Sequence, residues 1–157
     1  MRAPCNVLVL PYIINENEPF FCIFKRQDMQ IWQFVAGGGE NNETPLEAAQ
    51  RELYEEIQMN SLKVYKLDAT TTVPVEYFKD FKDRWKEGLF VIPVYSFAAE
   101  VDNNIVKVSS EHVVSKWLNY EEAIDLLHFD IDKTALWELN KRLVVERRQN
   151  KNTKINN

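Results

Sequence analysis

Residues 37–59, GGGENNETPLEAAQRELYEEIQM, constrain the fold most, because they join a glycine-rich loop to an amphipathic helix. Thr44 is placed to cap the helix, Pro45 stands at its first position, and Glu47 completes a Thr-x-x-Glu capping box. At about 100° per residue, four apolar side chains fall within one stripe: Leu46, Ala49, Leu53 and Ile57. The pattern predicts that this stripe packs on a sheet.

Three glutamates, Glu52, Glu55 and Glu56, lie on an arc beside that stripe, which we expect to face outward. A lone pair of glutamates would indicate only a solvated face, since glutamate is a good helix former. Here the glutamates stand at fixed offsets from Gly37, Glu43 and Arg51. At ordinary residue usages, chance gives the whole pattern on the order of once in a million chains of this size. We therefore predict that these glutamates form a functional cluster. Few cationic side chains lie nearby to balance their charge, so the cluster is suited to bind a divalent metal.

The remaining chain alternates β-prone and helical segments. Strands are predicted over 6–14, 20–24, 61–76, 89–101, 105–108 and 113–118, with Pro93 indicating an edge strand or a bulge. Asn119 is predicted to cap a helix through Leu127, and Asp132 another over 133–147. These elements indicate one α+β domain over residues 1–148, followed by a polar tail, 149–157, that we expect to be disordered.

Composition limits the cellular location and the classes of binding partner that we expect. The net charge of −5, without a basic block before the tail, argues against binding a nucleic-acid polymer. No window of about 18 apolar residues predicts a membrane span, and the N-terminus does not have the pattern of a signal peptide. Cys5 and Cys22 lie in or beside apolar runs, so we expect free buried thiols and a reducing, cytoplasmic location.

The spacing Gly37-x5-Glu43-x7-Arg51-Glu52-Leu53-x-Glu55-Glu56 resembles the Nudix box of the Nudix hydrolase superfamily. The resemblance implies the Nudix fold, an α/β/α sandwich with a mixed sheet. It also implies Mg²⁺-dependent hydrolysis, or Mn²⁺-dependent hydrolysis, of a nucleoside diphosphate linked to another group. Two box glycines are replaced, by Asn42 and Gln58; asparagine tolerates a left-handed backbone, and Asn60 is a candidate for the cap at the helix end.

The resemblance also assigns roles to individual residues. Arg51, Glu52 and Glu111 form the catalytic group, with Glu52 or Glu111 as general base and Arg51 pointing away from the metal to brace the loop through Glu43. Lys25 and Arg26 are candidates for binding substrate phosphates. Five residues are implied as metal ligands: Gly37 through its carbonyl, Glu52, Glu55, Glu56 and Glu111.

The substrate stays open at this point. A looser resemblance, to the bacterial dATP pyrophosphohydrolase and dihydroneopterin triphosphate pyrophosphatase branch, favours a nucleoside triphosphate-like substrate and release of pyrophosphate. The alternatives are hydrolysis of dinucleoside polyphosphates or nucleotide sugars, and a nucleotide-binding module without catalysis; the intact box glutamates weigh against the module. Many relatives are dimers, so a homodimer is a further option. Four aromatic residues suit either base stacking or a core: Tyr77, Phe78, Phe81 and Trp85.

Overall fold

A mixed β-sheet with helices on both faces forms the body of the protein in the computed structural model, which describes residues 1–58, 61–80, 85–102 and 112–156. The strands are β1 (Arg2–Asn15), β2 (Glu18–Arg26), β3 (Trp32–Gln33), β4 (Val35–Glu40), β5 (Ser61–Pro74), β6 (Val91–Val101) and β7 (His112–Leu118). The helices are α1 (Pro45–Ile57), α2 (Tyr120–Leu126) and α3 (Asp130–Asn156), with a short 3₁₀ turn at Val75–Tyr77. The predicted strand 105–108 lies outside the described residues.

The sheet runs in the order β3-β2-β1-β6-β5, with β4 also pairing with β1 and β7 with β2. Strands β1 and β6 are parallel, and the other pairs are antiparallel. The edge position or bulge inferred from Pro93 holds only locally: β6 as a whole lies between β1 and β5, but at Pro93 it pairs only with β5. Proline is tolerated there because β1 pairs with β6 only from Val94 onward, one residue further along.

Each face of the sheet carries its own hydrophobic core, because side chains alternate along a strand. On β1, Val7 and Val9 face the core under α1, whereas Leu8, Leu10 and Tyr12 face the core under α2 and α3. Fully burying one such side chain stabilises the fold by about 1.5–3 kcal/mol, so a strand buried on both faces holds the layers together. The α/β/α arrangement and the mixed sheet expected from the sequence are confirmed.

Helix α1 begins as the sequence predicts and differs from the prediction further on. The Thr44 hydroxyl accepts the Glu47 N–H at 3.2 Å, and Pro45 is the first helical residue. Leu46 is 40% exposed, so its assignment to the buried stripe is wrong; Ala48 is buried instead. The last turn ends at Gln58, whose φ of 51° is left-handed, so Gln58 itself holds the position for which Asn60 was the candidate.

The two C-terminal helices form where the sequence predicts them, but the ends of α3 differ from the predicted ends. Asn119 caps α2 by accepting the Glu122 N–H at 2.9 Å, as predicted. Helix α3 starts at Asp130, before the predicted cap, and continues to Asn156, so residues 149–156 are helical where the sequence predicted disorder.

Over the part of the chain described, no helix combines the length and apolarity needed to cross a membrane. Both cysteines are free; Cys22 is buried and Cys5 half-buried.

Asp132 is a buried anchor rather than a helix cap. Its carboxylate is 2% exposed and accepts the Phe34 N–H at 2.9 Å, which joins α3 to the start of β4. Burial disfavours the charged form and raises the pKa of Asp132 from 3.8 to about 7, although the hydrogen bond from Phe34 opposes this shift. The fold therefore holds this carboxyl in its neutral form below neutral pH.

Stability is expected to fall with rising pH because of Asp132. Between its unfolded pKa of 3.8 and its folded pKa of about 7, only the unfolded chain releases the proton. The contribution is complete below pH 3.8 and is lost as the pH rises through 7, by about 2 kcal/mol between pH 5 and pH 7. Urea denaturation of Asp132→Asn at both pH values should lack this loss. Asp130→Asn, an exposed control in the same helical turn, should retain it.

Candidate active site

The glycine-rich strand β4 and helix α1 meet at Gly37 and Glu52. Strand β4 is held by pairing with β1, in which Gly37 stands opposite Val7. The Glu52 carboxylate lies directly over Gly37, and a Cβ atom added to Gly37 would overlap it. A side chain at position 37 would therefore displace the Glu52 carboxylate from this position. Glu52 is 9% exposed, which corrects the expectation that the whole carboxylate arc faces outward.

Arg51 braces the loop in the way that the resemblance implied. Its Nε and Nη2 atoms reach the two carboxylate oxygens of Glu43 at 2.5 and 3.1 Å, a bidentate pairing. Nη2 also donates to the Gly38 carbonyl at 2.7 Å, and the Glu40 N–H donates to Glu43 at 3.2 Å. The hydrogen bond from Arg51 lowers the pKa of Glu43, so this pair is ionised at neutral pH.

The turn before α1 also follows the sequence expectation at Asn42. Its φ of 71° is left-handed, and asparagine is one of the few residues other than glycine that tolerates this backbone. The replaced glycine is therefore a mild change, and the loop still delivers Glu43 to Arg51.

The remaining nitrogen of Arg51 contacts the candidate metal ligands, which differs from the expectation that Arg51 points away from them. Nη1 lies 3.0 Å from Glu52 Oε1 and 3.2 Å from Glu55 Oε2. The guanidinium group thus serves as counter-charge for two of the three helix carboxylates. A divalent cation placed between these carboxylates would replace Arg51 Nη1 as their partner. The hydrogen bonds from Arg51 Nε and Nη2 to Glu43 could remain.

The Glu52 carboxyl has an altered proton affinity. Its pKa is raised to about 7: burial is the largest cause, Arg51 opposes it, and the charges of Glu55 and Glu56 add to the rise. The shift therefore comes mainly from removing the carboxylate from water, with a smaller part from the two neighbouring carboxylates. Glu56 is 7% exposed, one helical turn beyond Glu52, and Glu55 is exposed.

The three glutamates offer carboxylate oxygens, the ligand type that magnesium and manganese prefer. Within residues 1–58, 61–80, 85–102 and 112–156, no three acidic, histidine or cysteine side chains already converge with metal-ligand spacing. Glu111, the fifth implied ligand, lies outside the described residues.

The candidate phosphate-binding residues stand at the end of β2. Arg26 forms a bidentate pair with Asp28, at 2.8 and 2.5 Å, on the protein surface. Its backbone is paired with His112, and Lys25 is paired with Val114 and with Trp32. The fold thus brings this end of β2 beside the start of β7, the strand that follows Glu111. Phosphate binding by Arg26 would compete with Asp28.

Arg2 is a residue that the sequence reasoning missed. Its guanidinium lies against Gly38, where a Cβ would overlap it, and donates to the carbonyls of Ala3 and Cys5 at 2.6 Å. It also lies 5.4 Å from the ring of Phe78 and 5.8 Å from that of Trp85. A single arginine near the N-terminus carries no local pattern, so only the three-dimensional packing reveals it.

Comparison with known proteins places this geometry in a family. A family model described as NUDIX domain matches residues 6–138. A dihydroneopterin triphosphate diphosphatase from Haemophilus influenzae is 28% identical over 125 residues, covering 77% of each chain. The Escherichia coli protein of that name is 28% identical over 127 residues, which cover 80% of this chain and 84% of the relative.

A solved structure supports the same assignment. A NUDIX hydrolase from Listeria monocytogenes superposes with a TM-score of 0.80 at 39% identity, covering 92% of this chain and 97% of its own. The match to the family model spans most of the chain, and it includes β4, α1 and the contacts of Arg51 and Glu52 described above. The chain therefore belongs to the NUDIX family, as a hydrolase of the pyrophosphohydrolase type.

Proposed function

We propose that this protein hydrolyses a phosphoanhydride bond in a nucleoside triphosphate-like substrate, of the dATP or dihydroneopterin triphosphate type, and releases pyrophosphate. The observation that carries the proposal is the placement of Glu52. Its carboxylate is buried against Gly37, contacts Arg51 at 3.0 Å, and lies one helical turn from Glu56. Burying a carboxylate in this way costs stability, so a role in binding a cation explains its presence.

A divalent cation, Mg²⁺ or Mn²⁺, fits the donor set. Glu52, Glu55 and Glu56 would supply hard carboxylate oxygens, and the Gly37 carbonyl and Glu111 complete the proposed ligand set. When bound, such an ion neutralises phosphate charge and makes a water molecule more acidic. The protein contributes a fixed strand under Glu52 and a brace from Arg51 to Glu43 that holds the loop. Glu52 and Glu111 are the proposed alternatives for the base that takes the proton from water.

The relatives support the substrate class. The Haemophilus and Escherichia proteins described above carry the name dihydroneopterin triphosphate diphosphatase and match about four-fifths of this chain. That compound and dATP both carry a triphosphate joined through a hydroxylated carbon linker to a nitrogen heterocycle. We therefore take this chemistry, rather than one compound, as the proposed substrate.

Turnover of a substrate panel tests the proposal. The purified chain would be incubated with dATP, dihydroneopterin triphosphate, a dinucleoside polyphosphate and a nucleotide sugar, each with Mg²⁺ and with EDTA. The expected result is pyrophosphate release from the two triphosphates with Mg²⁺ and none with EDTA. Faster cleavage of the dinucleoside polyphosphate or the nucleotide sugar would show that the proposed substrate class is wrong. Tight binding without any turnover would favour a binding module.

A further inference from the structure

A cavity lined by positive charge lies between helix α3 and the turn that joins β1 to β2. Its volume is about 440 Å³, and Asn17 of the turn forms one wall. The other wall is one face of α3, which contributes Val144, Arg147, Arg148, Asn150 and Lys151. Three of these side chains are cationic and none is acidic, although the whole chain carries a net charge of −5. By charge, the cavity therefore suits an anion.

The cavity is separate from the candidate active site. Helix α1 packs on the face of the sheet that carries Val7, whereas α3 packs on the opposite face through Leu139. Val7, which pairs with Gly37, also precedes the end of β1 at Asn15 by eight residues, a distance of about 25 Å along the strand. A ligand in the cavity would therefore not contact the proposed metal ligands.

Arg147 is fixed at the turn through one of its nitrogens. Its Nη1 atom donates to the Asn17 carbonyl, which holds the guanidinium at the edge of the cavity. Its Nε atom is buried and has no hydrogen-bond partner within the part of the chain that the structure describes. Buried polar groups are nearly always paired, and an unpaired donor costs stability. An anion in the cavity would pair with this guanidinium, and a small rotation of the side chain would bring Nε to it.

The other two cations are also without a counter-charge. Arg148 and Lys151 are exposed, and neither forms an ion pair with any of the described residues. Glu146, the acidic residue of α3 nearest to them in sequence, pairs with Lys63 at 3.9 Å instead. Helical residues three or four positions apart are neighbours, so the positive charges of this face repel one another. An anion bound between them would remove that repulsion.

We propose that this cavity binds a small anion carrying two or more phosphate groups, of which inorganic pyrophosphate is the simplest. Guanidinium groups pair with phosphate oxygens in a bidentate manner, and such charge-assisted bonds are about twice as strong as neutral ones. Three cations around one cavity match the charge of a diphosphate better than that of a monovalent anion. The inference goes beyond the proposed function, because this site needs no metal ion and lies away from the reacting bond.

The surroundings favour a small anion over an acidic protein or a nucleic acid. Glu16 and Glu18 flank Asn17 in the turn, and both are exposed. A long polyanion would extend past the cavity toward these carboxylates and over a chain whose net charge is −5. A diphosphate is small enough to contact the three cations alone, so the site selects for size as well as charge.

Calorimetric titration with inorganic pyrophosphate, in EDTA and at fixed ionic strength, tests the site. Without a metal ion the active-site carboxylates repel this anion, so binding there is suppressed. We expect one pyrophosphate per wild-type chain and at least about tenfold weaker binding in the double variant Arg148→Gln/Lys151→Gln, because two charged contacts are lost. Lys141→Gln/Arg142→Gln is the matched control, since it removes the same charge from exposed positions of α3 outside the cavity. Its affinity should equal that of the wild type.

Amide NMR shifts locate the bound anion. Pyrophosphate in EDTA should shift the signals of Asn17, Val144 and Lys151 and leave those of Gly37 and Glu52 unchanged. Four results would overturn the proposal: no binding by the wild type, unchanged affinity in Arg148→Gln/Lys151→Gln, equal weakening in the two double variants, or shifts centred on Gly37 and Glu52. None of these measurements involves turnover. Failure of the proposed function, seen as no pyrophosphate release from any triphosphate, is therefore distinct from failure of this site.

Discussion

Replacing Glu56 by glutamine is expected to lower kcat on the order of 10³-fold, because a proposed metal ligand loses its charge while its shape is kept. Glu56 is buried beside Glu52, so the neutral amide also relieves like-charge repulsion in the absence of metal. The fold should therefore persist, with a melting temperature close to that of the wild type. Pyrophosphate release under saturating dATP and Mg²⁺ measures the effect, and raising the Mg²⁺ concentration should restore only part of the rate.

Glu47→Gln is the matched control for that variant. Glu47 lies in the first turn of the same helix, is exposed, and contacts the Thr44 hydroxyl at 3.1 Å. Glutamine supports a capping box as well as glutamate does, so the helix start should be unchanged. Wild-type turnover in Glu47→Gln alongside a large loss in Glu56→Gln would assign the effect to the site. Near wild-type turnover in Glu56→Gln would remove it from the proposed ligand set.

The sequence predicted those parts of the site that local spacing determines. Thr44 and Glu47 define the helix start within one turn, and the observed hydrogen bond at 3.2 Å follows directly. The charge pairing of Arg51 with Glu43 came from the family resemblance, and the bidentate contact agrees with it. The layers of the fold were predictable too, because runs such as 6–14 are almost continuously apolar, as a strand buried on both faces requires.

Other features depend on contacts between segments distant in the chain, and the sequence could not supply them. The burial of Glu52 follows from the approach of Gly37, fifteen residues earlier, and helix periodicity alone placed it on the solvent side. Leu46 is apolar and in phase with the stripe, but it borders an open cavity lined by Val64 and Tyr95 of the sheet, so it stays 40% exposed. The polar composition of residues 149–156 favoured disorder, yet they continue a helix already nucleated by the packed residues of α3.

Gly37→Ala is expected to reduce turnover about 10²-fold or more while the protein remains folded. A methyl group at Gly37 would occupy the space of the Glu52 carboxylate, which must then move away from the strand. A displacement of about 1 Å at a catalytic group can cost 10²-fold in rate. No backbone strain is involved, since Gly88 is the only glycine with a positive φ in the described part of the chain. Kinetics with dATP and Mg²⁺, together with thermal unfolding, measure both effects.

Ala36→Val separates this effect from a general disturbance of β4. Ala36 is exposed and immediately precedes Gly37, so extra methyl groups there extend into solvent and leave Glu52 in place. Turnover in Ala36→Val should be within a few-fold of the wild type. A variant combining Gly37→Ala with Glu52→Asp, whose shorter side chain vacates the space, should regain the thermal stability lost to the methyl group without regaining turnover. If Gly37→Ala alone kept full turnover, the Glu52 carboxylate could function away from Gly37, and the placement on which the proposed function rests would be wrong.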